Sequence, residues 1–172
     1  MTAHASQSLV THLQSMKPPW TALLTLKAGQ RAESVVKPPD GFLMRVVRGA
    51  KCRSASALFT ELAEILEFPD YFGHNWDALE ECLADLEWQP AKGYVLLFTD
   101  AELILPDDED EFATFVEVLN DAGEAWASGQ AASRAKPFHS LLAVSERNKS
   151  KRSHWGVPQV AAPSSRSSTS KR

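Results

Sequence analysis

The order of predicted strands and helices indicates an α/β fold with a parallel sheet. Three apolar segments have the character of strands: FLMRVVRG at 42–49, GYVLLFTD at 93–100 and FHSLLAVS at 138–145. Helical patterns separate them, and strands that alternate with helices favour a parallel sheet with right-handed crossovers. The second segment is almost continuously apolar, which is typical of a strand buried on both faces.

The helices between these strands have recognisable beginnings. Ser54 or Ser56 can cap a first helix that runs to about residue 67. Asn75 is a good N-cap for a second helix, from Trp76 to about Glu87. A third helix is predicted from Asp110 to Trp126, because its apolar side chains recur at helical spacing.

Residues 1–40 precede the first of these strands, and the sequence assigns them no role. Within this N-terminal extension, WTALLTL at 20–26 is compatible with a strand, and residues 3–16 are compatible with a short helix. We therefore expect one domain at residues 41–145, with the extension before it.

The C-terminal residues 146–172 are expected to form a disordered basic tail. From residue 147 onward they hold seven of the 18 Lys and Arg residues and no acidic residue, and they are rich in serine. Such a segment has little apolar surface to bury against the entropy of ordering. A weak contact of the tail with nucleic acid and a solvated tail without a partner both fit its charge.

Charge elsewhere in the chain is strongly negative. Residues 1–146 carry 22 acidic and 11 basic residues, and the window 61–124 holds 19 acidic residues with Lys92 as its one base. We therefore expect the domain to bind a basic protein partner and not to bind nucleic acid directly.

Composition sets the broad class of the protein. The 172 residues are 44% hydrophobic and contain no apolar run of about 18 residues, so no membrane span is expected. The start lacks the pattern of a secretory signal, and Cys52 with Cys82 makes no disulfide framework. We expect a cytoplasmic protein that is monomeric when free and needs no cofactor.

The second predicted helix is unusual because its charges are all negative. Asp77, Glu81 and Asp85 follow one another at i,i+4 spacing, and Glu80 lies one turn after Asp77. Like charges so placed destabilise a helix by roughly 0.2–0.5 kcal/mol per pair. A solvated helix face normally mixes both signs, so this one favours a role outside the chain itself.

Three interpretations of the acidic helix compete. The carboxylates could be a general acid and base, although no histidine or arginine constellation accompanies them. His74, Asp77 and Glu81 could bind a metal, although one histidine with two acids at this spacing is poor evidence. The helix could instead present phosphate-like charge to a basic partner such as a nucleic-acid enzyme.

The loop before the acidic helix favours the third interpretation. Tyr71 and Phe72 stand next to Gly73, and exposed aromatic rings beside charged groups are typical of interface hot spots. Either ring could equally pack beneath the loop. Cys82 falls on the apolar side of the helix and is expected to be a core thiol.

This loop and helix resemble the barstar family, intracellular inhibitors of the bacterial ribonuclease barnase. The family pattern is Pro-acid-Tyr-aromatic-Gly-x-Asn-x-Asp-Ala-Leu-x-acid-Cys-Leu. Without a gap, it stands in this sequence as Pro69-Asp70-Tyr71-Phe72-Gly73-His74-Asn75-Trp76-Asp77-Ala78-Leu79-Glu80-Glu81-Cys82-Leu83. A looser likeness extends over about residues 43–145.

The resemblance implies a three-stranded parallel sheet packed against helices, and a function without catalytic residues or a metal. It implies that the chain plugs the active site of a basic, barnase-like ribonuclease or nuclease toxin. Some of the expected partner-binding residues match the family pattern, and the others are expected close to these in the fold. The full set is Tyr71, Phe72, Asn75, Asp77, Glu80, Glu81 and Asp121. An immunity protein or acidic binding module for another basic partner is the alternative.

The sequence departs from the family pattern at several of these positions. Glu81 is one methylene longer than the aspartate that usually enters the phosphate site of the enzyme. Glu80 replaces an aromatic residue, and Asp85 with Leu86 replaces a small residue and a tryptophan. These changes leave open which ribonuclease the chain would bind.

Overall fold

The computed structural model describes residues 8–131, 134–152 and 155–163. Its elements alternate helices and strands along the chain. In order they are α1 (Leu9–Gln14), β1 (Thr21–Leu26), α2 (Ala32–Val35), β2 (Leu43–Arg48), α3 (Ala55–Ile65), α4 (Trp76–Asp85), β3 (Tyr94–Thr99), α5 (Glu109–Ser128), β4 (Phe138–Ser145) and β5 (Gln159–Val160). Short 3₁₀ segments occupy Gly49–Lys51, Ala101–Leu103 and Glu146–Arg152.

The sheet contains five strands in the order β2-β3-β4-β1-β5, and the paired strands run parallel. The parallel α/β architecture is confirmed, but the prediction of three strands was wrong. The N-terminal segment adds β1, which pairs with β4 from Thr21 opposite Ser140 to Leu26 opposite Ser145. Strand β5 then pairs with the other edge of β1.

The two faces of the sheet carry separate apolar clusters. The first cluster joins alternate strand residues such as Leu96 and Phe98 to α3, α4 and α5. The second joins the opposite-facing Val95 and Leu97 to α1 and α2. Because successive strand side chains point to opposite faces, the nearly continuous apolar sequence of β3 serves both clusters.

The N-terminal segment is packed tightly against α5. A Cβ atom built on Gly123 would lie 2.6 Å from the Cβ of Trp20, so only glycine permits this approach of the two segments. Residues 8–40 therefore contribute to the sheet and to the packing around it, a role that the sequence left unassigned. Of the helix expected at 3–16, the part Leu9–Gln14 is present, and residues 1–7 lie outside the described residues.

The C-terminal residues are also partly folded. Disorder was predicted from residue 146, but Glu146–Arg152 forms a 3₁₀ segment and Gln159–Val160 forms a strand. The indole of Trp155 stacks on Phe112 with ring centroids 4.2 Å apart. This apolar contact offsets part of the entropy of ordering the segment, and the serine-rich composition gives no sign of it. The remainder, residues 164–172, lies outside the described part.

Candidate protein-binding surface

The acidic helix α4 begins after a side-chain cap and ends at a residue in the left-handed conformation. The side-chain oxygen of Asn75 accepts the backbone N–H of Ala78 at 2.8 Å, which caps the first turn as predicted. Leu86 adopts a left-handed conformation with φ of 48° and ends the helix. Glu87, expected in the last turn, therefore lies beyond the helix.

Hydrogen bonds join both ends of α4 to α5. Near its start, the Trp76 indole N–H donates to the Glu111 carboxylate of α5 at 2.8 Å. Near its end, the Trp126 indole N–H donates to the Leu83 carbonyl, also at 2.8 Å. These two hydrogen bonds have no local signal in the sequence, because they link residues 35 and 43 positions apart.

The solvent side of α4 presents the acidic residues. Asp77, Glu80 and Glu81 are exposed, and Asp85 is half-buried. At 100° per residue, the first three fall on one side of the helix. An ion pair joins Arg48 to Glu61 on α3, but among the described residues no cation pairs with the α4 carboxylates.

Tyr71 extends this surface with an exposed aromatic ring. Its side chain is 73% exposed, far more than any other large apolar or aromatic side chain among the described residues. The pKa of the Tyr71 phenol is raised by partial desolvation and then by the charges of Asp85, Glu87 and Glu81, with a contribution from Cys82. The phenol therefore lies within electrostatic range of the second half of α4.

Phe72 lies beneath the loop. It is only 7% exposed, and its ring meets Phe68 at 4.8 Å and Phe59 at 6.3 Å in edge-to-face contacts. Of the two placements that the sequence allowed for each ring, Tyr71 has the exposed one and Phe72 the buried one. Phe72 can therefore shape the loop but offers little surface for contact.

Asp121 lies on α5 and is exposed. The α5 side chains that meet α4 include Glu111 and Trp126. At 100° per residue, Asp121 lies about 80° from Glu111 and about 140° from Trp126 around the α5 axis. No hydrogen bond or ion pair of the described residues joins Asp121 to α4, so its place at the acidic surface stays a prediction.

The two cysteines are buried thiols. Cys82 is 4% exposed in the first apolar cluster, as predicted, and burial together with Asp85 and Glu81 raises the pKa of its thiol. Burial raises the pKa of Cys52 to about 12. Within the described ranges, no three His, Cys, Asp or Glu side chains cluster as a metal site.

The surface so defined combines unpaired carboxylates, a helix held rigidly at both ends and one projecting aromatic ring. This combination suits recognition of a basic protein surface. The family model described as Barstar (barnase inhibitor) matches residues 42–143. The chain belongs to the barstar family.

No curated protein sequence matches the chain. None of the described helices has the length and apolar character needed to cross a membrane. Strands β1 and β5 lie outside the part of the chain that the family model matches.

Proposed function

We propose that this protein inhibits a barnase-like ribonuclease by covering its active site with the surface of α4 and the Tyr71 loop. The observation that carries the proposal is the exposed row Asp77, Glu80 and Glu81, which has no cation beside it among the described residues. A ribonuclease active site must hold phosphates with basic side chains, so carboxylates can take the place of those phosphates.

The proposal gives each residue a physical task. Glu81 enters the phosphate subsite of the enzyme, and Asp77 and Glu80 pair with basic groups around it. Tyr71 packs on the partner through its exposed ring. Asn75 already uses its Oδ1 atom as the helix cap, so its contribution to the partner is through Nδ2, which in the free chain donates to the Gly73 carbonyl at 3.2 Å.

Phe72 and Asp121 have supporting places in the proposal. Phe72 holds the loop from below, so that Tyr71 projects outward. Asp121 adds negative charge from α5 at the side of the surface. Such charge at the rim raises the rate of association more than it raises affinity.

A matched pair of variants tests the proposed surface. Glu81→Ala removes the proposed phosphate mimic, and Glu87→Ala removes an equal charge just beyond α4. Loss of a buried charge-assisted contact costs about 1.5–3 kcal/mol, whereas loss of an exposed charge costs less than about 1 kcal/mol. Calorimetric titration against barnase and a panel of related secreted ribonucleases gives both values.

The two outcomes separate a specific surface from a general charge effect. We expect Glu81→Ala to weaken binding far more than Glu87→Ala, and added salt to weaken the wild-type complex. Equal losses from both variants would contradict the phosphate-mimic role. If the wild-type chain binds no ribonuclease of the panel, the partner is another basic protein, and an immunity or binding role replaces inhibition.

A further inference from the structure

Two buried histidines lie on the face of the sheet opposite to α4. His12 is on α1 and is 3% exposed, and His139 is on β4 and is fully buried. Their ring centroids are 4.5 Å apart, and the Trp20 ring lies 5.7 Å from that of His139. Histidine is the side chain whose ordinary pKa falls closest to neutral pH.

The hydrogen bonds of the pair fit neutral imidazoles. His139 Nε2 lies 2.7 Å from the Ser15 carbonyl, which can only accept, so this nitrogen carries the proton. Among the described residues, His139 Nδ1 makes no hydrogen bond of good geometry, although the Pro19 carbonyl lies near enough to the ring to favour its charged form, and His12 Nε2 has no hydrogen-bond partner. A charge placed on either ring would be buried beside the other ring, without a carboxylate to compensate it.

Within the described ranges, the surroundings of the pair supply no counter-charge. From α1, the neighbouring inward side chains Leu9 and Leu13 are apolar, and β3 contributes Val95, which stands opposite His139 in the sheet. The segment between α1 and β1 contributes the carbonyls of Ser15 and Pro19, while Lys17 in that segment is exposed. Strand β1 faces this side with Ala22 and Leu24. Among the described residues, the titratable side chain in ring contact with each histidine is the other histidine, and its charge helps to lower the pKa of His12.

We propose that His12 and His139 form a proton-sensitive latch, which holds α1 on the sheet at neutral pH and weakens that hold as the pH falls. Protonation of either imidazole favours a conformation in which that ring reaches water. Since α1 has only six residues and His12 lies within it, undocking α1 is the smallest movement that exposes both rings. The main body of the domain, with α4 and α5 on the other face, stays folded.

The direction of the pH effect follows from the pKa values. Burial and then His139 lower the pKa of His12 from 6.5 to about 4. Burial also lowers the pKa of His139, an effect that the Ser15 and Pro19 carbonyls partly oppose. The open form therefore binds protons more readily than the closed form, so the closed form is favoured above about pH 6.5 and loses stability as the pH falls towards 4. For His12 alone, the ratio of open to closed α1 rises about 20-fold between about pH 7 and pH 5.

Amide hydrogen exchange of the full chain tests the latch. The N–H of His12 bonds to the Ser8 carbonyl and the N–H of Ser15 to the His12 carbonyl, both at 3.0 Å, so these amides report on α1. After correction for the intrinsic pH dependence of exchange, their protection should fall about 20-fold or more between about pH 7 and 5. The amide of Leu119 in α5 should keep its protection.

Two variants separate the latch from other effects of acid. His12→Leu keeps an apolar side chain of similar size and should reduce the loss of protection at position 15. His74→Asn removes an exposed histidine at a positive φ that asparagine tolerates, and it should leave the loss unchanged. The proposal is overturned if wild-type α1 keeps its protection at pH 5, if α1 and α5 lose protection together, or if His12→Leu retains the full pH response.

Discussion

The row of like charges on α4 leads to a prediction about the stability of the free chain. Glu81 stands at i,i+4 from both Asp77 and Asp85, and no cation of the described residues relieves either pair. Each such pair destabilises a helix by about 0.2–0.5 kcal/mol. Glu81→Gln removes two of these pairs while keeping a residue of similar shape and helix propensity.

The expected gain in the free energy of unfolding is about 0.4–1 kcal/mol at low salt. For a chain of this size, that gain raises Tm by about 1–4 °C. Denaturant unfolding of wild type and Glu81→Gln measures it directly. The gain should be present at about 0.01 M salt and largely absent at about 1 M salt, because salt screens the exposed charges.

The matched control is Glu117→Gln on α5. Glu117 is exposed on a different helix, is not part of the α4 row, and has one acidic i,i+4 neighbour, Asp121, where Glu81 has two. Its removal should change stability by less than about 0.5 kcal/mol. A stability loss in Glu81→Gln, or an equal gain from both variants at low salt, would refute the argument that α4 carries uncompensated charge of its own.

Three other variants probe the surface and its supports. Tyr71→Phe should leave the free energy of unfolding within about 0.5 kcal/mol of wild type, because the side chain is 73% exposed. With Tyr71 kept, Glu81→Gln should lower the raised pKa of its phenol, as measured by ultraviolet titration. Trp126→Phe leaves the Leu83 carbonyl without its indole donor and should cost about 1–3 kcal/mol in denaturant unfolding. Gly123→Ala places a methyl group 2.6 Å from Trp20 and should destabilise the fold by about 1–3 kcal/mol; unchanged unfolding would show that Trp20 moves freely.

The central elements of the fold could be predicted because their signals are local. The apolar run of β3 and the cap at Asn75 are written in neighbouring residues, and the structure has both, with helix α4 ending two residues earlier than expected. That difference arises at Leu86, whose left-handed conformation ends the helix although leucine gives no local signal for it.

The sequence allowed a strand at 20–26, but the addition of β1 and β5 to the sheet could not be predicted, because it depends on contacts between distant residues. Pairing of β1 with β4 joins residues 21–26 to 140–145, and no short pattern records that register. Likewise, Trp155 is ordered through its stacking on Phe112, which the composition of the surrounding tail conceals. At the acidic surface, the sequence indicated the charged row, but the burial of Phe72 depends on Phe59 and Phe68 of α3 and the following loop.

The most direct test of inhibition is to titrate barnase with the purified chain while RNA cleavage is followed. If the acidic surface covers the active site, cleavage should fall in proportion to the added chain and end at about one chain per enzyme, and Glu81→Ala should shift or flatten that titration. Undiminished cleavage in the presence of a large excess of wild-type chain would contradict inhibition of this ribonuclease.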